Sequence, residues 1–230
     1  MKNFPSAAFT FVTPKKEREK LAEEAKGLCQ RYLETGNADS ILYFIESQFL
    51  KEHQPEEELM NRHNADPLNK DWQIPQGARW EQSDVVHDIL AFLAEQMIAV
   101  NKEKQREMKG FLRWLESQLE IRPDEKGNRD IEALTGKTQI KNYLGDYQKG
   151  EQPLSFEDFW KTLEKNKTRI QANLKSRAFF ETIKIEYQKS LAKLLPLKEK
   201  LRKTDWLIDQ IVYKLYGLTE EEIKLVESTT

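Results

Sequence analysis

The chain has 230 residues; charged residues make up 33% of them yet balance to a formal net charge of −2, and 10% are aromatic, with five Trp. That length can bury a sizeable core in one large or two small domains, and the aromatic content excludes a chain too poor in apolar groups to fold. The single cysteine, Cys29, excludes an internal disulfide and a thiolate-rich zinc site, while the want of an apolar run of about 20 residues excludes a membrane-spanning helix. The first 13 residues have no continuous apolar centre of the kind a signal peptide needs, so the expected location is the cytoplasm.

The hydrophobic spacing predicts helix almost throughout. Pro14 opens "PKKEREKLAEEAKGLCQRYLETG", in which Leu21, Ala25, Leu28 and Tyr32 share a face and Gly36 is the stop. A second helix is expected over roughly 38–51, closing residues 1–52 into an N-terminal helical hairpin. Ala8–Val12 is the one short stretch with strand character. Residues 53–80, with Pro55, Pro67, Pro75 and Gly77, are expected to be a loop or linker that Trp72 and Trp80 pin to the body.

Residues 81–230 are expected to be a long-helix module. Ser83 or Asp84 is placed to cap a helix whose seam is Val86, Leu90, Leu93, Met97, Val100, Met108, Phe111, Leu115 and Leu119. About 36 residues at 1.5 Å each give roughly 54 Å, the length of a coiled-coil-like arm. Short glycine-punctuated pieces follow, and Ser155 with Asp158 starts another helix. The last long segment carries the seam Phe180, Ile183, Tyr187, Leu191, Leu194, Leu201, Ile208, Val212 and Leu215, with Pro196 expected to kink or split it. Gly217 is expected to close that helix, and Thr219 with Glu222 to make a capping box for the next. The fold class is therefore all-α: long antiparallel helices, an N-terminal hairpin, and a small irregular basic insert at 121–177.

Most chemistry is argued down by spacing. Gly136-Lys137-Thr138 has the ending of a phosphate-binding loop, but the position five before Gly136 is Ile131 where that loop needs glycine, and no strand precedes it. His53, His63 and His87 fit no compact metal set. Cys29, expected to be half buried on a helix, has no base beside it. Asp124, Asp130 and Asp146 are scattered acids without the partners of a magnesium nuclease. No cofactor is expected.

The positive signal is a charge asymmetry. Lys137–Lys203 holds 16 Lys/Arg against 8 Asp/Glu, so the remaining residues carry −10. "KTQIKNYLGDYQKG" interleaves Lys137, Lys141 and Lys149 with Tyr143 and Tyr147. "KTLEKNKTRIQANLKSR" adds Lys161, Lys165, Lys167, Arg169, Lys175 and Arg177 against the one acid Glu164. Side chains of this kind track a phosphate backbone by displacing its counterions, which confers affinity without sequence information. Gln139, Asn142, Gln171 and Asn173 carry amides suited to base edges. A solvated basic face is the alternative.

Three stretches, "SDVVHDILAFLAEQMIAVNKEKQREMKGFLRWLE", "LTGKTQIKNYLGDYQKGEQPLSFEDFWKTLEKNK" and "SLAKLLPLKEKLRKTDWLIDQIVYKLYGLTEEEIKLVE", resemble the C-terminal region of large DNA adenine methyltransferases of type IIG-like restriction-modification and related phage-defence systems, the ending "IDQIVYKLYGLTEEEIKLVE" most specifically. "TPKKEREKLAEEAKGLCQRYLETG" resembles it more weakly, so the likeness covers roughly 13–228. The family's catalytic Asn/Asp-Pro-Pro-Tyr/Phe motif and its glycine-rich cofactor loop have no counterpart, since the chain holds neither Pro-Pro nor Gly-x-Gly. The resemblance implies the DNA-recognition and helical-spacer end of such an enzyme. It implies a module that binds double-stranded DNA beside a methyltransferase or restriction subunit. A structural helical adaptor without nucleic-acid contact is the alternative, and an enzyme with an unrecognised site a third reading.

Overall fold

The computed structural model describes residue 13 and residues 15–49 and 83–229. The expected strand at Ala8–Val12, the loop at 53–80 and its two tryptophans lie outside the described residues. The fold is all-α. Its helices among the described residues are α1 (Lys15–Thr35), α2 (Asp39–Phe49), α3 (Ser83–Leu119), α4 (Lys137–Lys141), α5 (Phe156–Glu164), α6 (Arg177–Leu215) and α7 (Glu220–Thr229). A 3-10 turn at Ile131–Ala133 precedes α4. The only β pairing among them is an isolated antiparallel bridge between Ile121 and Ile170. None of these helices is long and apolar enough to cross a membrane.

The described residues divide into two compact units, and the division falls inside the long helices. One unit holds the residues up to Gln96 and those from Lys203 onward; the other is Met97–Arg202. The division expected from the sequence is instead an N-terminal hairpin over 1–52, a linker over 53–80 and a long-helix module over 81–230. A two-helix hairpin has one apolar face to bury and too little surface to do so alone. Ala25, Cys29 and Tyr32 of α1 and Ile41 and Ile45 of α2 instead share a core with Val85, Ile89 and Leu93 of α3 and Leu207 and Ile211 of α6.

In that first unit, buried Asp84 at the start of α3 accepts from the Thr13 backbone N–H at 2.9 Å and from its hydroxyl at 2.7 Å. Tyr32 donates to the Lys203 carbonyl, and the Lys203 ammonium donates to the Leu33 carbonyl. The Cys29 thiol is wholly buried rather than half buried, and burial pushes it up to about 12. It is a core residue and a poor nucleophile at neutral pH.

In the second unit α3 and α6 run antiparallel. Phe111 meets Tyr187 with ring centroids 6.0 Å apart, and Glu107 meets Lys193 at 3.2 Å, so numbers fall along one helix as they rise along the other. Onto this pair α5 lays a strongly one-sided face. Phe156, Phe159, Trp160 and Leu163 are all buried in a cluster with Phe111, Tyr143, Ile183 and Tyr187. Phe159 sits 4.7 Å from the Tyr187 ring.

The α6 seam shows a register that apolar residues alone do not reveal. Its buried positions include Ile183, Tyr187, Ser190, Leu194, Leu201, Thr204, Leu207 and Ile211, spaced mostly by three and four with two hydroxyl residues among them. Counting only apolar side chains skips Ser190 and Thr204. It then assigns the far end to Ile208 and Val212, one residue past the positions most deeply buried. Pro196 does not split the helix, which runs unbroken to Leu215. Pro196 and Ala192 are both exposed, so the carbonyl that proline leaves without a helical donor faces water.

Candidate nucleic-acid interface

The basic insert is built on buried anchors. Asn166 is 3% exposed just after α5. Its side-chain oxygen accepts from the Thr135 N–H at 2.8 Å, and its amide donates to the Thr135 and Thr162 carbonyls, each at 2.8 Å. One side chain thus satisfies three backbone groups and ties the chain just after the 3-10 turn to the end of α5. Gly136 caps α4 in the left-handed region (φ 78°), where a Cβ would meet the Thr162 methyl at 2.7 Å. The Gly-Lys-Thr sequence is therefore the start of a five-residue helix packed against α5, not a phosphate cradle.

A strap follows α4. Gly145, with φ 72°, lets it turn where a Cβ would lie 2.7 Å from the Gln152 carbonyl oxygen. Lys198 of α6 donates to the Leu144 and Glu151 carbonyls at 2.9 and 2.5 Å, holding the two ends of the strap. Burial lowers its pKa from the ordinary lysine value.

The structure sorts the sequence-predicted cations into bound and free. Lys137 and Lys141 both pair with Glu132, Lys137 at 2.8 Å. Hydrogen bonds first from Lys137 and then from Lys141 hold that carboxyl down at about 2. Lys161 pairs with Asp158 in the first turn of α5 at 3.0 Å. Lys149, Lys165, Lys167, Lys175 and Arg177 are exposed and make no ion pair or side-chain hydrogen bond among the described residues. Four of these five lie within the 13 residues from Lys165 to Arg177. Arg169 is half buried in the same stretch and donates to the Pro123 carbonyl at 3.3 Å.

Tyr143 is a correction. Proposed as an aromatic partner for nucleic acid, it is 0% exposed, and its hydroxyl shares a 2.6 Å hydrogen bond with Ser190. Burial pushes its phenol up to about 12. Its place among Phe111, Phe159 and Tyr187 makes it core. Tyr147 is half exposed, beneath the Lys104 ammonium at 5.8 Å.

Of the candidate amides, Asn142 donates to Glu151 and the Asn173 side-chain oxygen accepts from the Lys175 N–H, so both serve local structure. The candidate acids do likewise. Asp124 accepts from Asn128 and from the Lys126 N–H, Asp130 caps the 3-10 turn, and Asp146 accepts from the Gln148 N–H. Hydrogen bonding from the Asn128 side chain holds Asp124 below the usual carboxylate range. No group of three potential metal ligands occurs among the described residues. His87 is exposed beside Asp88.

Sequence reasoning missed two participants. Glu132 quenches two of the nominated lysines. Arg122, outside the nominated run, is brought against Arg169 by the bridge at Ile121 and Ile170. Glu132 meets Lys137 and Lys141 across the turn at Gly136 rather than along one helix, and Arg122 lies 47 positions from Arg169, so neither follows from helical spacing. Against known protein families, curated proteins and solved structures, the chain finds no match.

Proposed function

We propose that this chain is a non-catalytic helical module that holds double-stranded DNA by its phosphate backbone and docks on a DNA adenine methyltransferase or restriction subunit of a phage-defence system. The observation that carries the DNA part is the set of unpaired cations Lys165, Lys167, Lys175 and Arg177, from just after α5 to the first residue of α6. A cation without a carboxylate partner breaks no ion pair when it meets phosphate, whereas a paired one exchanges one anion for another. The methyltransferase part rests on the sequence resemblance alone.

The test is binding to a random duplex of about 30 base pairs across a salt series. A log–log slope of several units is expected for the wild-type chain. In the Lys165→Ala/Lys167→Ala/Lys175→Ala/Arg177→Ala variant it should fall by roughly 0.9 for each phosphate that is no longer neutralised. Absence of binding at low salt removes DNA from the reading.

The adaptor alternative has its own support in apolar groups left on the surface. Tyr43 is 74% exposed, Tyr216 68%, and Leu225 69% on the short helix α7. Side chains of this size, all in the first unit, suit docking to another protein. A stable protein complex with no salt-dependent DNA binding would favour this reading.

A further inference from the structure

We infer that Arg122 and Arg169 form a two-arginine fork for a single phosphodiester of the nucleic-acid backbone; the inference rests on the DNA-holding reading above and deepens it. The argument begins with the bridge. Ile121 and Ile170 are antiparallel partners, 6% and 4% exposed, with both side chains in the core. The flanking hydrogen bonds run from the Arg122 N–H to the Arg169 carbonyl at 2.9 Å and from the Gln171 N–H to the Glu120 carbonyl at 3.3 Å. The Arg122 backbone therefore lies beside that of Arg169, and with Arg122 exposed and Arg169 half buried both side chains are available at the surface next to the bridge.

Like charges on paired backbones repel unless something lies between them. No carboxylate among the described residues fills that role. Asp124 stands closest in sequence and feels the Arg169 charge, but its oxygens are spent on the Asn128 side chain and on the N–H groups of Lys126 and Asn128. Neither Glu120 nor Asp124 makes an ion pair with either guanidinium. Arg122 makes no side-chain hydrogen bond at all among the described residues, and Arg169 uses one N–H on the Pro123 carbonyl. Two planar donor arrays with most of their N–H groups unspent, carried on backbones joined by a main-chain hydrogen bond, suit the oxygens of one phosphate. A single anion between them turns the mutual repulsion into attraction to both. Lys167 and Lys175, exposed on the same connection, extend the contact to neighbouring phosphates.

The experiment compares wild type, Arg122→Ala, Arg122→Lys, Arg169→Ala and the Arg122→Ala/Arg169→Ala double variant on the same 30-base-pair duplex across salt, with Lys20→Ala as a remote control. Arg122→Ala removes no internal side-chain bond, so its fold should be kept, and circular dichroism checks this. It should weaken binding about tenfold and lower the salt slope by about one. Arg122→Lys should keep the slope but bind more weakly than wild type, because the charge stays while the planar fork goes. The double variant should lose less than the product of the single losses, the mark of two groups on one phosphate. If Arg122→Ala binds like wild type, or if the losses multiply, the fork is wrong and the wider DNA reading stands. If wild type fails to bind at low salt, both fall.

Discussion

Both units pair some of their cations and leave others without an ion pair among the described residues; they differ in how the unpaired ones are grouped. Around α1, α2 and the end of α6, Arg18 pairs with Asp88 at 2.7 Å, Lys26 with Glu23 at 2.6 Å, and Lys214 with Glu46. In the second unit α4 and α5 behave the same way, with Glu132 and Asp158 holding Lys137, Lys141 and Lys161. The stretch from Lys165 to Arg177 instead gathers four exposed cations without an ion pair within 13 residues, with the Arg122 backbone hydrogen-bonded to it at Arg169. Composition alone marks the whole stretch from Lys137 to Lys203 as basic. Among the nominated lysines and arginines, pairing leaves Lys149 and the stretch from Lys165 to Arg177 with charge to offer. A lysine count is thus a weaker guide to a polyanion site than the carboxylates within reach of each lysine.

The contrast can be broken most severely at the core that carries the insert. Phe159→Ala should cost about 3–5 kcal/mol, as for other large aromatic truncations in packed cores. Phe159 is fully buried and touches the rings of Phe111, Tyr143, Phe156 and Tyr187. Amide exchange should accelerate most between residues 131 and 164, and exchange confined to the first unit would show that the cluster does not hold the insert. A smaller loss is expected from Asn166→Ala, about 2 kcal/mol, because three backbone groups are left without their partner at once. Urea denaturation measures it, and a change within error would mean that water replaces the amide.

The gentlest change sharpens the comparison rather than breaking it. Glu132→Gln should release Lys137 and Lys141, raising the salt slope of DNA binding by up to about two. An unaltered slope would put both lysines off the DNA path. The pH behaviour of the same group has a definite sign. Its folded pKa, about 2, lies below the ordinary 4.5. The pairing therefore contributes stability above about pH 4.5 and loses it as the pH falls toward 2. The Glu132 carboxyl carbon followed by NMR should titrate near 2. A midpoint near the ordinary glutamate value would mean that the two ammoniums do not hold it in solution.

What the sequence by itself determined was local. Helix positions followed from three- and four-residue spacing, and several ends followed from groups that reach only three or four residues. Ser155 accepts from the Asp158 N–H, the Thr219 hydroxyl and Glu222 carboxylate cap each other, and Gly217 closes α6 with φ 59°. Such hydrogen bonds form within one turn, so the residues that make them can be read side by side. The tertiary structure alone decided which tyrosine is core, which lysines are quenched, where the units divide, and that the Arg122 backbone lies beside that of Arg169. Tyr143 and Tyr147 are indistinguishable by type and spacing, but Tyr143 is the one that meets Ser190, 47 residues away. Helical periodicity says that a face will be buried without saying against what, and a charge count cannot register a carboxylate delivered by another turn of chain. Those outcomes depend on distances through space, which packing sets after the local elements have formed.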